Sequence, residues 1–181
     1  LYSLVQTPFG EFGLVWNETD SGPLVQDIYL PRSKFRLIDI IKEKYPGIQG
    51  GSSSPMMMLT EKIQGYLEGE DHQFDLKWID LGNCSNFQTR VLMAEHAIPR
   101  GWVSTYGRIA KHLMIPGGAR AVGNALANNP FPIVIPCHRA VRSNGTLGGY
   151  QGGLEMKRTL LEYEGIEISP TGRVDLTRVY Y

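Results

Sequence analysis

Long hydrophobic runs are missing from this sequence, since no stretch approaches the roughly 18 apolar residues that a membrane-spanning helix needs. Cysteine is also scarce, and the two present, Cys84 and Cys137, are too few for a disulfide framework. The first residues, Leu1 to Leu4, have neither the basic start nor the apolar stretch of a secretory signal peptide. We therefore expect a protein of a reducing interior with no membrane association. Hydrophobic residues make up 42% of the chain, which is enough for a buried core.

Net charge is absent as well, because 18 basic residues balance 18 acidic ones. Taken alone, this balance argues against a nucleic-acid-binding protein. The two halves differ, however: residues 1–85 contain seven Lys and Arg against twelve Asp and Glu, and residues 86–181 contain eleven against six. Between Arg90 and Arg142, seven basic residues accompany one acid, Glu95. The asymmetry indicates two modules, of which the second faces an anionic partner, unless the imbalance arose by chance.

The N-terminal part has the pattern of a small antiparallel sheet with helices. Short strand-like runs separated by Pro and Gly clusters predict strands at residues 2–6, 11–16 and 24–30. Apolar residues at helical spacing predict a helix over 33–45, and Pro55 begins a second helix that runs to about residue 68. Residues 74–79 alternate like a further strand. The character of the sequence changes at 81–85, so we predict a structural domain over 1–83 and a second domain over 84–181.

The second domain is predicted to be mostly helical. Helical spacing of apolar residues covers 86–97, about 105–113, 119–128 and 154–164. Two of these helices flank the turn Pro116-Gly117-Gly118, which is the outline of a helix-turn-helix. The helix after the turn carries mainly Ala and Gly, with Arg120 as its one long cation. Such small residues permit close approach to another helix of the protein or to a DNA groove, and both interpretations stay open.

Cys137 lies in the segment Pro136-Cys137-His138-Arg139, after the apolar run 133–135, which has the pattern of a buried strand. A thiol attacks as the thiolate, and a neighbouring imidazole raises the ionised fraction of a thiol whose pKa is about 8.5. Glu164, at the end of the last predicted helix, is the best candidate for a carboxylate that orients the imidazole. Five glycines in 141–153 predict a loop that holds a flat ligand or forms a lid. A buried structural thiol beside a surface histidine is the alternative for the Cys–His pair alone.

Taken together, these motifs resemble the O6-alkylguanine-DNA alkyltransferases, also called methylated-DNA–protein-cysteine methyltransferases. The resemblance covers about residues 86–166 and implies an α/β (α+β) protein. Its N-terminal domain would be a small antiparallel sheet with helices, and its C-terminal domain would be mostly helical, with a helix-turn-helix and an active-site cysteine loop. The matching residues are Arg120-Ala121-Val122-Gly123, Asn129-Pro130, Pro136-Cys137-His138-Arg139, Gly148, Tyr150, Gly152-Gly153-Leu154 and Glu164-Gly165.

The resemblance implies transfer of a methyl or larger alkyl group from O6-alkylguanine in duplex DNA to the protein's own cysteine. O4-alkylthymine would be a lesser substrate, the base would be flipped out of the helix, and the transfer would be stoichiometric and irreversible. It implies no metal and no cofactor, double-stranded DNA as the partner, and a monomer. A DNA substrate and the absent signal peptide together imply a cytoplasmic protein or, in a eukaryotic cell, a nuclear one. The catalytic residues would be the nucleophile Cys137, the base His138, Glu164 that holds the imidazole, Tyr106 that donates to guanine, and Asn129 that ties down the active-site turn.

The same resemblance implies a set of DNA and pocket contacts. Arg120 would fill the gap that the flipped base leaves. Gln151 departs from the family pattern, because the best-known members have a serine there that donates to the guanine oxygen. The implied DNA contacts are Tyr106, Ala119, Arg120, Gly123, Arg139 and Ser143. The implied pocket residues are Pro132, Ala140, Gly148, Tyr150 and Gln151.

Two other functions stay open on the sequence. A protein of the same fold could bind the lesion and recruit other factors without transfer, although such relatives replace the cysteine with tryptophan. A cysteine hydrolase could use a Cys–His–Glu triad on an ester or amide, although a helix-turn-helix and a basic half give it no evident use. One alkyl group on Cys137 per protein molecule distinguishes the alkyltransferase from both.

Overall fold

The computed structural model describes residues 1–31, 36–177 and 179–181, which divide into two compact units. The N-terminal unit comprises Leu1–Asn83 and Pro130–Val134, and the C-terminal unit comprises Cys84–Asn129 and Ile135–Tyr181. The division therefore falls where the sequence changes character. The segment 130–134, which lies within the predicted second domain, belongs to the first unit. The reason is local, because the N–H of Ile28 donates to the carbonyl of Pro130 at 2.7 Å.

The N-terminal unit is built on a three-stranded antiparallel sheet in the order β1-β2-β3. Tyr2 pairs with Val15, Gly13 pairs with Tyr29, and the register shifts at a bulge after Val15. The predicted helix over 33–45 begins later, and residues 33–35 lie outside the described residues. The elements are β1 (Tyr2–Thr7), β2 (Gly10–Thr19), β3 (Gly22–Tyr29), α1 (Leu37–Lys44) and α2 (Ser54–Leu67).

The strand predicted over 74–79 is wrong, because these residues contain a 3-10 turn over Leu76–Trp78. The side chain of Asp75 accepts a hydrogen bond from the N–H of Lys77 at 2.9 Å. This local bond offers the backbone an alternative to a strand ladder, as Asp side chains commonly do. Only Ile79 makes a strand-like bridge, to Val25 of β3.

The C-terminal unit contains the remaining helices and a short parallel pair of strands. Ser85 and Thr105 cap α3 and α4, each accepting from a backbone N–H three residues ahead at 3.2 Å. The two helices α4 and α5, with the glycine turn between them, are present where the sequence predicted them. The elements are α3 (Asn86–His96), β4 (Ser104–Thr105), α4 (Tyr106–His112), α5 (Ala119–Ala127), β5 (Ala140–Val141) and α6 (Gly153–Tyr163).

The pairing of β4 with β5 positions the candidate site. Ser104 pairs with Ala140, and Thr105 pairs with Val141. Tyr106 follows β4 directly, and a 3-10 turn over Cys137–Arg139 leads directly into β5. The strand pair thereby brings two segments that are more than 30 residues apart in sequence to the same place. Val103 and Val141 anchor it in a core cluster with Leu147, Leu161, Ile166 and Val174.

The apolar run 133–135 is not a strand, contrary to the sequence prediction. It lies in a turn in which Ile133 has a φ of 75°, a left-handed conformation that is rare for a β-branched residue. Pro130, Pro132 and Pro136 surround the run, and none of them can donate to a strand ladder. Its hydrophobicity reflects burial within a turn. Within the described ranges, no helix is long and apolar enough to span a membrane.

Candidate active site

Glu164 is the centre of a buried ion-pair network in the C-terminal unit. It is the C-cap residue of α6, and its backbone N–H donates to the carbonyls of the preceding turn. Its side chain is buried, and Nε2 of His138 lies 2.9 Å from Oε1. An ionised carboxylate only accepts hydrogen bonds, so Nε2 carries the proton. In the neutral imidazole, Nδ1 is then the nitrogen that can take up a proton.

Arg139 is the second partner of this carboxylate. Its Nε lies 2.9 Å from Oε2 of Glu164, its Nη2 lies 2.8 Å from Oε1, and its Nη1 donates to the carbonyl of Ile98 at 2.6 Å. Burial alone would raise the pKa of the Glu164 carboxyl, but His138 and Arg139 together hold it well below its usual range. The predicted DNA contact of Arg139 does not fit this placement, because its guanidinium is bound inside the protein. We therefore do not include Arg139 in the proposed DNA interface.

Cys137 begins the 3-10 turn and is almost fully buried. Its N–H donates to the carbonyl of Ile135 at 2.8 Å, and Nδ2 of Asn129 donates to the same carbonyl at 3.0 Å. Burial raises the pKa of the Cys137 thiol to about 11, and a hydrogen bond from Asn129 opposes only part of this effect. The resting cysteine is therefore a neutral thiol. Burial also lowers the pKa of His138, outweighing the attraction of Glu164, so the resting imidazole is neutral too.

The thiol of Cys137 opens onto a pocket of about 350 Å³, a volume typical of small-molecule sites. Tyr106, the first residue of α4, lines it, and burial raises the pKa of its hydroxyl to about 12, so it stays a hydrogen-bond donor. Tyr150 also lines it and makes an edge-on contact with the ring of His138, with the centroids 6.1 Å apart. Other lining residues are Gly123, Leu126, Ala127, Arg142, Gly148, Gly149 and Gln151.

Gly148 is required by the shape of this pocket. Its φ is 73°, a conformation that side chains rarely adopt, and a Cβ there would lie 2.7 Å from the hydroxyl oxygen of Tyr106. Gly123 differs, because a Cβ there would meet the ring of Tyr106 at an ordinary 3.8 Å. The loop can approach Tyr106 this closely only with glycine at position 148.

The other predicted contact residues lie at different depths. Arg120 and Ala119 are exposed at the start of α5, and Ser143 is exposed on the loop after β5. Ala140 is buried in β5. Pro132 is buried in the 130–134 segment of the N-terminal unit, so its predicted position beside the base stays a prediction.

Two buried ionisable residues near this site were missed by the sequence reasoning. The ammonium of Lys157 donates to the carbonyls of Ala140 at 2.6 Å and Gly149 at 3.4 Å, and burial lowers its pKa to about 8. Glu95 on α3 is fully buried, and the backbone of Ala140 is the hydrogen-bond partner that lowers the pKa of its carboxyl against the effect of burial. Both positions follow the helical spacing of the apolar face of their helix. A charged residue within an apolar helix face was the signal that could have identified them.

Comparison with known proteins identifies relatives that span nearly the whole chain. A family model described as "6-O-methylguanine DNA methyltransferase, DNA binding domain" matches residues 86–166. A methylated-DNA–protein-cysteine methyltransferase from Methanothermobacter thermautotrophicus is 38% identical over 163 residues, covering 89% of this chain and 83% of the relative. Another from Mycolicibacterium paratuberculosis is 41% identical over 134 residues, covering 73% of this chain and 79% of the relative.

Solved structures agree with this relationship. The crystal structure of Mycobacterium tuberculosis OGT in complex with DNA superposes with a TM-score of 0.74 and 31% identity, covering 90% of this chain and 91% of that one. The O6-methylguanine-DNA methyltransferase of Pyrococcus kodakaraensis gives 0.70 and 28%, covering 92% and 100%. Fold and site together define an α+β protein with a buried cysteine that lines a pocket and is followed by a histidine bound to a buried glutamate. The chain belongs to the methylated-DNA–protein-cysteine methyltransferase family, which confirms the resemblance inferred from its motifs.

Proposed function

We propose that this chain repairs DNA by accepting the alkyl group of O6-alkylguanine on Sγ of Cys137, one lesion per protein molecule. The observation that carries the proposal is the position of Cys137. It lines a pocket with Tyr106 and Tyr150 and is followed in the same turn by His138, which is bound to buried Glu164. The names of the relatives support the acceptor, since they are methyltransferases that act on methylated DNA and a protein cysteine.

The transfer begins from a neutral thiol and a neutral imidazole. Nδ1 of His138 takes the thiol proton, directly or through a water, while ionised Glu164 stabilises the imidazolium that forms. Sγ of Cys137 then attacks the alkyl carbon. The S–C bond forms as the C–O6 bond breaks, and the electron pair of the broken bond stays on guanine. Tyr106 donates a hydrogen bond to the departing base, which takes up a proton from it or from water.

Entry of the base requires that it leave the duplex, because the alkylated oxygen of a stacked guanine is out of reach of a buried thiol. The exposed start of α5, with Arg120 and the small residue Ala119, is the surface we assign to DNA. The related M. tuberculosis protein has been crystallised with DNA, which supports this partner. O4-alkylthymine would use the same pocket. Phosphate contacts by the exposed cations should make binding weaken as salt concentration rises.

A hydrolytic function is disfavoured by the electrostatics of the thiol. Cysteine hydrolases use a thiol whose pKa is lowered towards a thiolate–imidazolium pair. Burial instead raises the pKa of Cys137 to about 11, which suits a nucleophile that ionises only during reaction with a bound substrate. The proposed transfer leaves a thioether on Cys137, which contains no ester bond that water could cleave. Transfer therefore stops after one equivalent.

The proposal is tested by incubating the protein with duplex DNA containing one O6-methylguanine and analysing its peptides by mass spectrometry. We expect a gain of about 14 Da on the peptide that contains Cys137, at one equivalent per protein molecule. Cys137→Ser should accept nothing. Cys84→Ser, which removes the other cysteine, should react like the unsubstituted protein.

Three results would contradict alkyl transfer to Cys137. An adduct on Cys84 would identify a different acceptor. Multiple turnover would indicate hydrolysis. Tight lesion binding without any adduct would favour a recognition protein that recruits other factors.

A further inference from the structure

The side-chain amide of Gln151 joins two walls of the pocket. Its Nε2 donates to the carbonyl of Ala127 at 3.1 Å and to the carbonyl of Asn129 at 2.8 Å. Because both neighbours are acceptors, the nitrogen and not the oxygen of the amide must face them. Both N–H groups of this side chain are therefore used within the protein. The side chain is held away from the role of a donor to the guanine oxygen that a serine would have at this position.

The two carbonyls belong to the end of α5, the helix whose other end carries Arg120. Ala127 is the last residue of α5, and Asn129 follows it by two residues. Gln151 itself follows Tyr150 in the glycine-rich segment that forms the opposite wall. The α5 wall consists of Gly123, Leu126 and Ala127, and the loop wall consists of Gly148, Gly149, Tyr150 and Gln151.

The same bonds continue to the nucleophile. Asn129 accepts from Gln151 through its carbonyl and donates through Nδ2 to the carbonyl of Ile135 at 3.0 Å. That carbonyl also accepts from the N–H of Cys137 at 2.8 Å. A continuous set of hydrogen bonds therefore connects the loop wall, the end of α5 and the turn that carries the thiol.

We propose that Gln151 is a positioning residue that fixes the loop wall against the end of α5 and so limits the size of the alkyl group that the pocket admits. The inference rests on the proposed alkyl transfer. With the amide removed, the loop wall loses the two hydrogen bonds that join it to the carbonyls of Ala127 and Asn129 at the end of α5. The pocket then widens towards bulky groups and positions a methyl group less well.

The chain offers a matched control in Gln88 of α3. Its Nε2 donates to the carbonyls of Ala125 at 3.4 Å and Asn128 at 2.9 Å, which belong to the same end of α5. Gln88→Ala removes the same kind of bond from the same helix end without touching the loop. Any effect that comes merely from a weakened α5 should appear in both variants.

The experiment compares single-turnover transfer to Cys137 from duplexes containing O6-methylguanine or O6-benzylguanine. We expect Gln151→Ala to raise the ratio of the benzyl to the methyl transfer rate about tenfold. A tenfold change corresponds to about 1.4 kcal/mol, and the loss of two neutral hydrogen bonds is expected to be of this size. Gln88→Ala should leave the ratio within about twofold of the unsubstituted protein. Amide hydrogen exchange of residues 142–152 should become faster in Gln151→Ala alone.

An unchanged ratio in Gln151→Ala, or an equal rise in both variants, would overturn the positioning role while leaving alkyl transfer intact. Absence of transfer by the unsubstituted protein from both duplexes would overturn the proposed function and this inference with it. If Gln151→Ala does not fold, Gln151→Glu replaces it, because a carboxylate cannot donate to the two carbonyls.

Discussion

Removing the carboxyl of Glu95 should change how the stability of this protein depends on pH. Burial raises the pKa of Glu95 to about 8, and the attraction of Lys157 and Arg139 opposes only part of this effect. In the unfolded chain the same carboxyl has a pKa of about 4.3. Between these two values, the folded protein keeps a proton that the unfolded chain releases. Raising the pH through this window therefore favours unfolding.

The magnitude follows from linkage. One proton of difference changes the free energy of unfolding by about 1.36 kcal/mol per pH unit, so Glu95 should cost the protein about 2.7 kcal/mol between pH 5.5 and pH 7.5. Glu95→Gln has nearly the same shape and does not titrate. Between pH 5.5 and pH 7.5, we expect the free energy of unfolding of the variant to rise by this amount relative to that of the unsubstituted protein.

Urea unfolding at pH 5.5, 6.5 and 7.5 measures the effect. The relevant quantity is the difference in free energy of unfolding between the two proteins, because His138 and other titrating groups contribute to both. Glu155→Gln removes an exposed carboxyl of α6 and controls for the general effect of losing an acid. A difference between Glu95→Gln and the unsubstituted protein that stays constant across the three pH values would refute the reasoning.

Three further substitutions, one of them with a matched control, test the site. Gly148→Ala should slow alkyl transfer at least tenfold, because the added Cβ would collide with the hydroxyl of Tyr106. The control Gly123→Ala should change the transfer rate less than about threefold, and equal rates for the two variants would contradict the pocket geometry. Arg120→Ala should slow repair of duplex DNA more than reaction with free O6-benzylguanine, measured as single-turnover rates, and equal slowing of both would argue against its DNA contact. Glu164→Gln should lower the free energy of unfolding by about 3–5 kcal/mol in denaturant titrations, because it leaves a buried guanidinium without its counter-charge, and an unchanged midpoint would contradict this.

The sequence predicted the elements whose signals are local. The helix beginning at Asn86 has a serine cap and regular apolar spacing, and the structure places it at Asn86–His96. The helix beginning at Ala119 has a glycine turn before it and ends within one residue of its predicted end. These features depend on neighbours within one or two turns of the chain, so a single sequence contains them.

Several features that depend on tertiary contacts were not predicted from the sequence. The run at 133–135 is apolar because it is buried, but its prolines and the left-handed Ile133 place it in a turn. The family resemblance implied a DNA contact for Arg139, yet its guanidinium binds Glu164, which lies 25 residues away in sequence. The hydrogen bonds of Gln151 to the end of α5 span 22 and 24 residues. Neither periodicity nor the motifs indicated that Arg139 would share Glu164 with His138 or that Gln151 would bond to the end of α5.

The neutral state of the Cys137 thiol lowers its reactivity towards other reagents before a substrate is bound. Peroxides, disulfides and other electrophiles react with thiolates, and burial raises the pKa of the Cys137 thiol to about 11, so little of it is ionised at neutral pH. If each molecule accepts one alkyl group, as we propose, accidental oxidation of Cys137 would inactivate it as completely as a repair event. The burial that makes this cysteine a reluctant nucleophile thus preserves it for an alkyl group delivered into its own pocket.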